Sequence, residues 1–194
     1  GRISILRVLP GRTKKCLLFR RVALVSVSAC STDWCRKTTK ADDGTVTEIS
    51  FYHLLHTPVE RALPKLIEKV LESGARAVIR AGSSERAEAL SGALWTYDQD
   101  SFLPHGTAHD GNPDKQPIWI TTEDDNPNGA EILIVTDGAA TGGLETYKRC
   151  LEMFDGKDQE AVAEARRRWT EYKAACHDLT YWEQTERGGW KKQG

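Results

Sequence analysis

The run Ile132-Leu133-Ile134-Val135 leaves this chain little choice of fold. A strand with one wet face alternates apolar and polar residues, whereas one that is apolar at every position hides both faces. Glu131–Thr136 therefore reads as a strand inside a sheet covered by helices on both sides. The rest of the chain supplies the parts in alternation. Residues 48–54 (EISFYHL) alternate and are rich in strand formers. Thr57-Pro58-Val59-Glu60 reads as a capping box with proline at the first helical position. Val59, Ala62, Leu63, Leu66, Ile67, Val70 and Leu71 then follow at helical spacing. Pro64 should strain or kink that helix, and Gly74 should end it.

A short strand follows at 76–81 and a helix capped by Ser83 or Ser84, with Ala87, Leu90 and Leu94 on its inner face. Residues 105–117 read as a loop, 118–122 as a strand and 124–129 as turn chemistry. Residues 144–154 are ambiguous: Leu144, Tyr147, Leu151 and Phe154 have helical spacing, yet Cys150–Phe154 fits a strand after a short helix. Residues 161–175 read as a helix. Alternating strands and helices imply an α/β fold of three layers, a mainly parallel sheet flanked by helices. It is Rossmann-like but carries no nucleotide-binding fingerprint.

Charge divides the chain. The first 46 residues hold ten Lys/Arg against three Asp/Glu, and residues 47–194 hold seventeen against twenty-five. The head (1–46) has features of an export signal and of an organellar presequence, but arginines interrupt its apolar run. It is read as a basic N-terminal extension, disordered or a misassigned start, with Val46 as an alternative initiation codon. Residues 47–194 are the folded body. An acidic body disfavours non-specific duplex binding, which rests on basic charge. A third class, direct nucleic-acid binding, would fall to the head. No stretch reaches the ~20 apolar residues of a membrane helix. The five cysteines are odd in number and lack C-x-x-C spacing, so they are read as reduced thiols of a cytoplasmic protein.

Catalytic signatures are missing. The chain has no G-x-x-x-x-G-K-[ST], no G-x-G-x-x-G after the first strand and no G-x-S-x-G. His53/His56 and His105/His109 lack neighbouring ligands at metal spacing, so neither a metal nor a cofactor is expected. The loop Asp137-Gly138-Ala139-Ala140-Thr141-Gly142-Gly143 follows a buried strand, where ligands often sit in such sheets. It is the best lead for the alternative function, a nucleotide- or phosphosugar-modifying enzyme. A tight strand-to-helix turn is the favoured reading of the loop, because no positive charge accompanies it.

Two constellations read as surfaces. Leu94-Trp95 and Ser101-Phe102-Leu103-Pro104-His105 place large aromatics at a helix end and a proline-stiffened loop. They either complete a core, the usual fate of Trp and Phe, or anchor a partner. In the helix around 163–173, Arg166, Trp169 or Thr170, and Lys173 share one face. That stripe is either a solvated basic face or a clamp for an acidic peptide with an apolar anchor.

At these residues the chain resembles a known family. Leu94-Trp95, Ser101–His105, Gln116-Pro117-Ile118-Trp119-Ile120, Ile132-Leu133-Ile134, Phe154-Asp155-Gly156, Ala165-Arg166 and Trp169 look like the chi subunit of bacterial DNA polymerase III holoenzyme. The resemblance spans about 48–192. Asn126-Pro127-Asn128-Gly129 and Tyr181-Trp182-Glu183-Gln184 resemble alphaproteobacterial members. It implies a non-catalytic clamp-loader accessory protein that binds the acidic, aromatic-ended tail of single-stranded DNA-binding protein. By position, Arg166 would be the key tail-binding arginine, with Trp169 and Lys173 beside it and Thr170 where some members carry lysine. Trp95, Phe102, Pro104 and His105 would face the psi subunit or a repair helicase. DNA would be contacted only through these partners, with no membrane contact.

Overall fold

The computed structural model describes residues 46–193. The expectations for the basic head, save its last residue Val46, fall outside them. An eight-stranded sheet organises these residues, in the order β3-β4-β2-β5-β6-β1-β7-β8. In chain order the elements are β1 (Glu48–Leu54), α1 (Val59–Glu72), β2 (Ala77–Arg80), α2 (Ser84–Trp95), β3 (His105–Thr107), β4 (Ile118–Thr121), β5 (Ile132–Val135), β6 (Arg149–Asp155), α3 (Gln159–Ala174), β7 (Asp178–Gln184) and β8 (Trp190–Gln193). Every pairing is parallel except β7 with β8. The three-layer α/β expectation holds. Residues 144–154 resolve as a short 3-10 turn, Leu144–Thr146, followed by strand β6.

The sheet has two packed faces. β1 alternates between them: Tyr52 and Leu54 join the core under α1 and α2, while Ile49 and Phe51 join the core under α3. β5 is buried at all four positions, as its unbroken apolar run requires. β2 and β4 are also fully buried, but the strand read as 76–81 shortens to 77–80.

Local details depart from expectation where tertiary partners supply what the sequence does not. Thr57 forms no capping box; α1 has Pro58 at its N-cap with no side-chain cap bond. Its lead-in is held instead by Gln184 at the end of β7, whose Oε1 accepts from the backbone N–H groups of Leu55, His56 and Thr57 at 3.2, 2.8 and 3.0 Å. Helix α1 runs unbroken through Pro64, which is buried against the core. Ser83 caps α2, accepting from the Arg86 N–H. Within residues 105–117, 105–107 form edge strand β3 rather than loop. Asn128 is buried and its Nδ2 donates to the carbonyls of Ala77, Gln116 and Pro117, which pins the Asn126–Gly129 turn to the edges of β2 and β4. Cys150 is a free, wholly buried thiol. Among the described residues no helix is long and apolar enough to cross a membrane.

Gln184→Leu strands the N–H groups before α1. Urea unfolding should show a loss of roughly 2–3 kcal/mol, since an unsatisfied buried donor costs about 1–3; Gln184→Glu, which keeps the acceptor, should lose clearly less.

Candidate functional site

Helix α3 carries Arg166-Arg167-Arg168, and the fold gives each arginine a different task. Asp158 starts the helix, accepting from the Glu160 and Ala161 N–H groups at 2.9 and 3.4 Å. Its inner face is Ala165, Arg168 and Tyr172, all buried. A cation on an inner face needs partners, because leaving water unpaired is costly. Arg168 finds them: Nη1 lies 3.3 Å from Glu152 on β6, Nε donates to Glu164 at 3.1 Å, and Nη2 donates to the Gly138 carbonyl at 2.7 Å. Arg167 points outward and is clasped between Glu164 and Glu171. The Arg166 guanidinium is exposed and has no hydrogen bond or ion pair among the described residues.

Arg166 stands on the rim of a groove of about 430 Å³ between α3 and the sheet. Phe51, Phe154, Val162 and Ala165 line its apolar part, with Trp169, Tyr181 and His53 as aromatic walls. The rings brace one another. Trp169 meets Phe51 edge-on at 5.3 Å and Tyr181 at 6.3 Å. His53 stacks on Phe154 at 5.0 Å and its Nδ1 lies 2.6 Å from the Tyr181 hydroxyl. Burial lowers the His53 pKa; Glu183 opposes the effect and Arg166 adds to it. A Cβ on Gly156 would collide with the His53 ring and the Leu54 carbonyl, which explains glycine there.

The predicted stripe is thus divided. Arg166, Trp169 and Thr170 line the groove, and the Thr170 hydroxyl is tied to the Arg166 carbonyl at 3.1 Å. Lys173, one turn further on, is exposed outside the lining. Sequence reasoning missed Phe51, His53, Phe154 and Tyr181, which come from three parallel strands, and missed Arg168. A signal for Arg168 existed: it falls at helical spacing with Ala165 and Tyr172, and Glu152 interrupts an apolar strand.

The second constellation lies on the other side of the sheet, toward edge strand β3. Trp95 and Phe102 are 61% and 69% exposed, so the core reading of these rings is overturned. Their centroids are 6.0 Å apart. Pro104 is half-buried. His105 is buried, with Nε2 3.1 Å from the Ser91 hydroxyl and Nδ1 2.8 Å from the Leu103 carbonyl, and its ring packs 5.1 Å from Trp95. It supports the patch from behind. β3 and β1 are five strand spacings apart, roughly 24 Å at ~4.8 Å each.

The Asp137–Gly143 loop is held by its carbonyls. Arg80, 1% exposed, donates to the carbonyls of Ala140 and Gly142 at 3.1 Å each and pairs with Asp124. Arg168 takes the Gly138 carbonyl, and Arg86 holds the Asp137 carboxylate with two nitrogens at 3.0 and 3.1 Å. The hollow beside it is lined by Asp137, Asp155, Asp158, Glu160 and Glu164. Inward carbonyls and a carboxylate-lined hollow repel phosphate, the reverse of an anion nest. No group of three or more His, Cys, Asp or Glu among the described residues is placed to hold a metal.

A family model described as DNA polymerase III chi subunit, HolC, matches residues 46–180. The "Probable DNA polymerase III subunit chi" of Rickettsia prowazekii (strain Madrid E) is 35% identical over 107 residues. That match covers 55% of this chain and spans 65% of the length of the Rickettsia protein.

Burial pushes the Glu152 carboxyl up to about 7, with Arg168 only partly offsetting it. The folded pKa is therefore above the unfolded one, and this group's stabilisation is full below about 4.5 and lost as pH rises through about 7. Arg168→Ala removes the partner and should cost about 3–5 kcal/mol, with the deficit larger at pH 8 than at pH 5 in urea titrations. Adding Glu152→Gln should recover much of the loss and flatten its pH dependence.

Proposed function

This chain belongs to the DNA polymerase III chi subunit family. From that membership we propose that it is a non-catalytic accessory subunit of the clamp-loader complex, acting in the cytoplasm. Its task on this reading is to bind the acidic, aromatic-ended C-terminal tail of single-stranded DNA-binding protein and so tether the polymerase to the lagging strand. One observation carries the reading: of three successive arginines only Arg166 has no carboxylate partner among the described residues, and it lines an aromatic groove. A carboxylate of the tail takes two parallel hydrogen bonds from the guanidinium, and the tail's terminal ring enters between Trp169, Tyr181 and Phe154. Thr170 adds a hydroxyl at the rim, and Lys173 attracts tail carboxylates from outside the groove.

The tethering is multivalent. A coated strand displays many tails, so each contact is modest while the local concentration of tails is high. The exposed Trp95–Phe102 pair, on the far side of the sheet, suits a second partner held at the same time. Psi, or a repair helicase, fills that role on this reading, with Pro104 at the patch and His105 beneath it. DNA is reached only through these proteins.

Fluorescence anisotropy with a labelled tail peptide tests the site. A charge-assisted hydrogen bond contributes about 1.5–3 kcal/mol, so Arg166→Ala should weaken binding roughly 10- to 100-fold. Raising the salt should weaken the wild type progressively and the variant much less. Equal affinity of variant and wild type would remove Arg166 from the site.

A further inference from the structure

A second recess, of about 250 Å³, lies on the opposite face of the sheet from the groove, between α1 and the turn joining β7 to β8. Arg61 and Lys65 stand over it from successive turns of α1, and Tyr97 and Trp190 form its walls. Both cations are exposed, and neither has an ion pair or hydrogen bond among the described residues. The nearby acids on α1 are turned elsewhere: Glu60 to Arg86 at 2.6 Å, and Glu68 to the Ser101 hydroxyl at 3.3 Å. No carboxylate lines the recess. On a body with more acid than base, that is a local reversal of charge.

The walls are firm. Trp190 meets Tyr52 edge-on at 4.8 Å, and Tyr52 stacks on Trp182 at 6.2 Å. The floor residue Gln184 spends its carbonyl on three backbone N–H groups and its amide on the Thr57 hydroxyl. The floor therefore offers an incoming group no spare acceptor, which suits an anion. The recess is smaller than the roughly 300–1,000 Å³ that encloses a whole small ligand, and it fits one large side chain.

We propose that this recess is a second docking site for an acidic peptide segment, one large apolar side chain entering between Tyr97 and Trp190 while carboxylates pair with Arg61 and Lys65. The inference extends the peptide-binding reading of the groove but shares none of its residues. Two segments engaged on opposite faces raise retention without any tighter contact.

Isothermal titration with a synthetic Asp-Asp-Asp-Ile-Phe peptide tests it. The wild type should take two peptides per chain. Arg61→Glu/Lys65→Glu, at exposed positions, should leave one site and weaken the other by roughly tenfold or more, while Arg166→Ala spares the recess. Should the wild type bind a single peptide that Arg166→Ala abolishes, the recess proposal is overturned and the groove reading stands. If Arg61→Glu/Lys65→Glu alone removes all binding, the recess proposal stands and the groove reading fails. An oligothymidylate, rather than the peptide, shifting the Trp190 indole signal overturns the recess proposal in favour of nucleic acid.

Discussion

The contact between Arg168 and Glu152 sets the rotation of helix α3, and much of the molecule's surface chemistry depends on that rotation. A buried carboxylate on β6 and a buried guanidinium on α3 fix one helix face against the sheet. Neighbouring positions on a helix are about 100° apart, so placing Arg168 inward turns Arg167 and Arg166 to different sides. Arg167 then meets carboxylates of its own helix, and Arg166 arrives over the aromatic groove with its charge unspent. Such a pair adds little net stability, because desolvation offsets its attraction. Its value is in orientation, and the same guanidinium also holds the Gly138 carbonyl beyond β5.

That last bond links the groove to what happened at the carboxyl edge of the sheet. Open α/β sheets usually bind ligands there, at loops such as Asp137–Gly143. Here two buried arginines, Arg80 and Arg168, consume the loop's carbonyls, and carboxylates crowd the adjoining hollow. The surfaces proposed for recognition lie elsewhere: between α3 and β1, β6 and β7; under α1; and at the rings beyond α2.

The continuous apolar strands were legible because burial on both faces needs apolar residues at every position. Helix α3 was legible from its spacing, and the Arg166–Trp169–Thr170 face from the same periodicity. Other parts were not. β3 is three residues long, and β7 and the edge strand β8 are only partly buried, with polar residues that look like loop. Trp95 and Phe102 defied the usual fate of aromatics, which no local pattern could reveal. The strand-borne half of the groove, Phe51, His53, Phe154 and Tyr181, comes together only through the order β6-β1-β7. Composition alone does not specify that order.

The central claim is that the groove beneath Arg166 receives an acidic, aromatic-ended peptide. Its most direct test is intermolecular nuclear Overhauser spectroscopy on the full chain with the tail peptide bound. The terminal ring of the peptide should show contacts to the Trp169, Tyr181 and Phe154 side chains. Contacts confined to Trp95 and Phe102, or to neither surface, would contradict it.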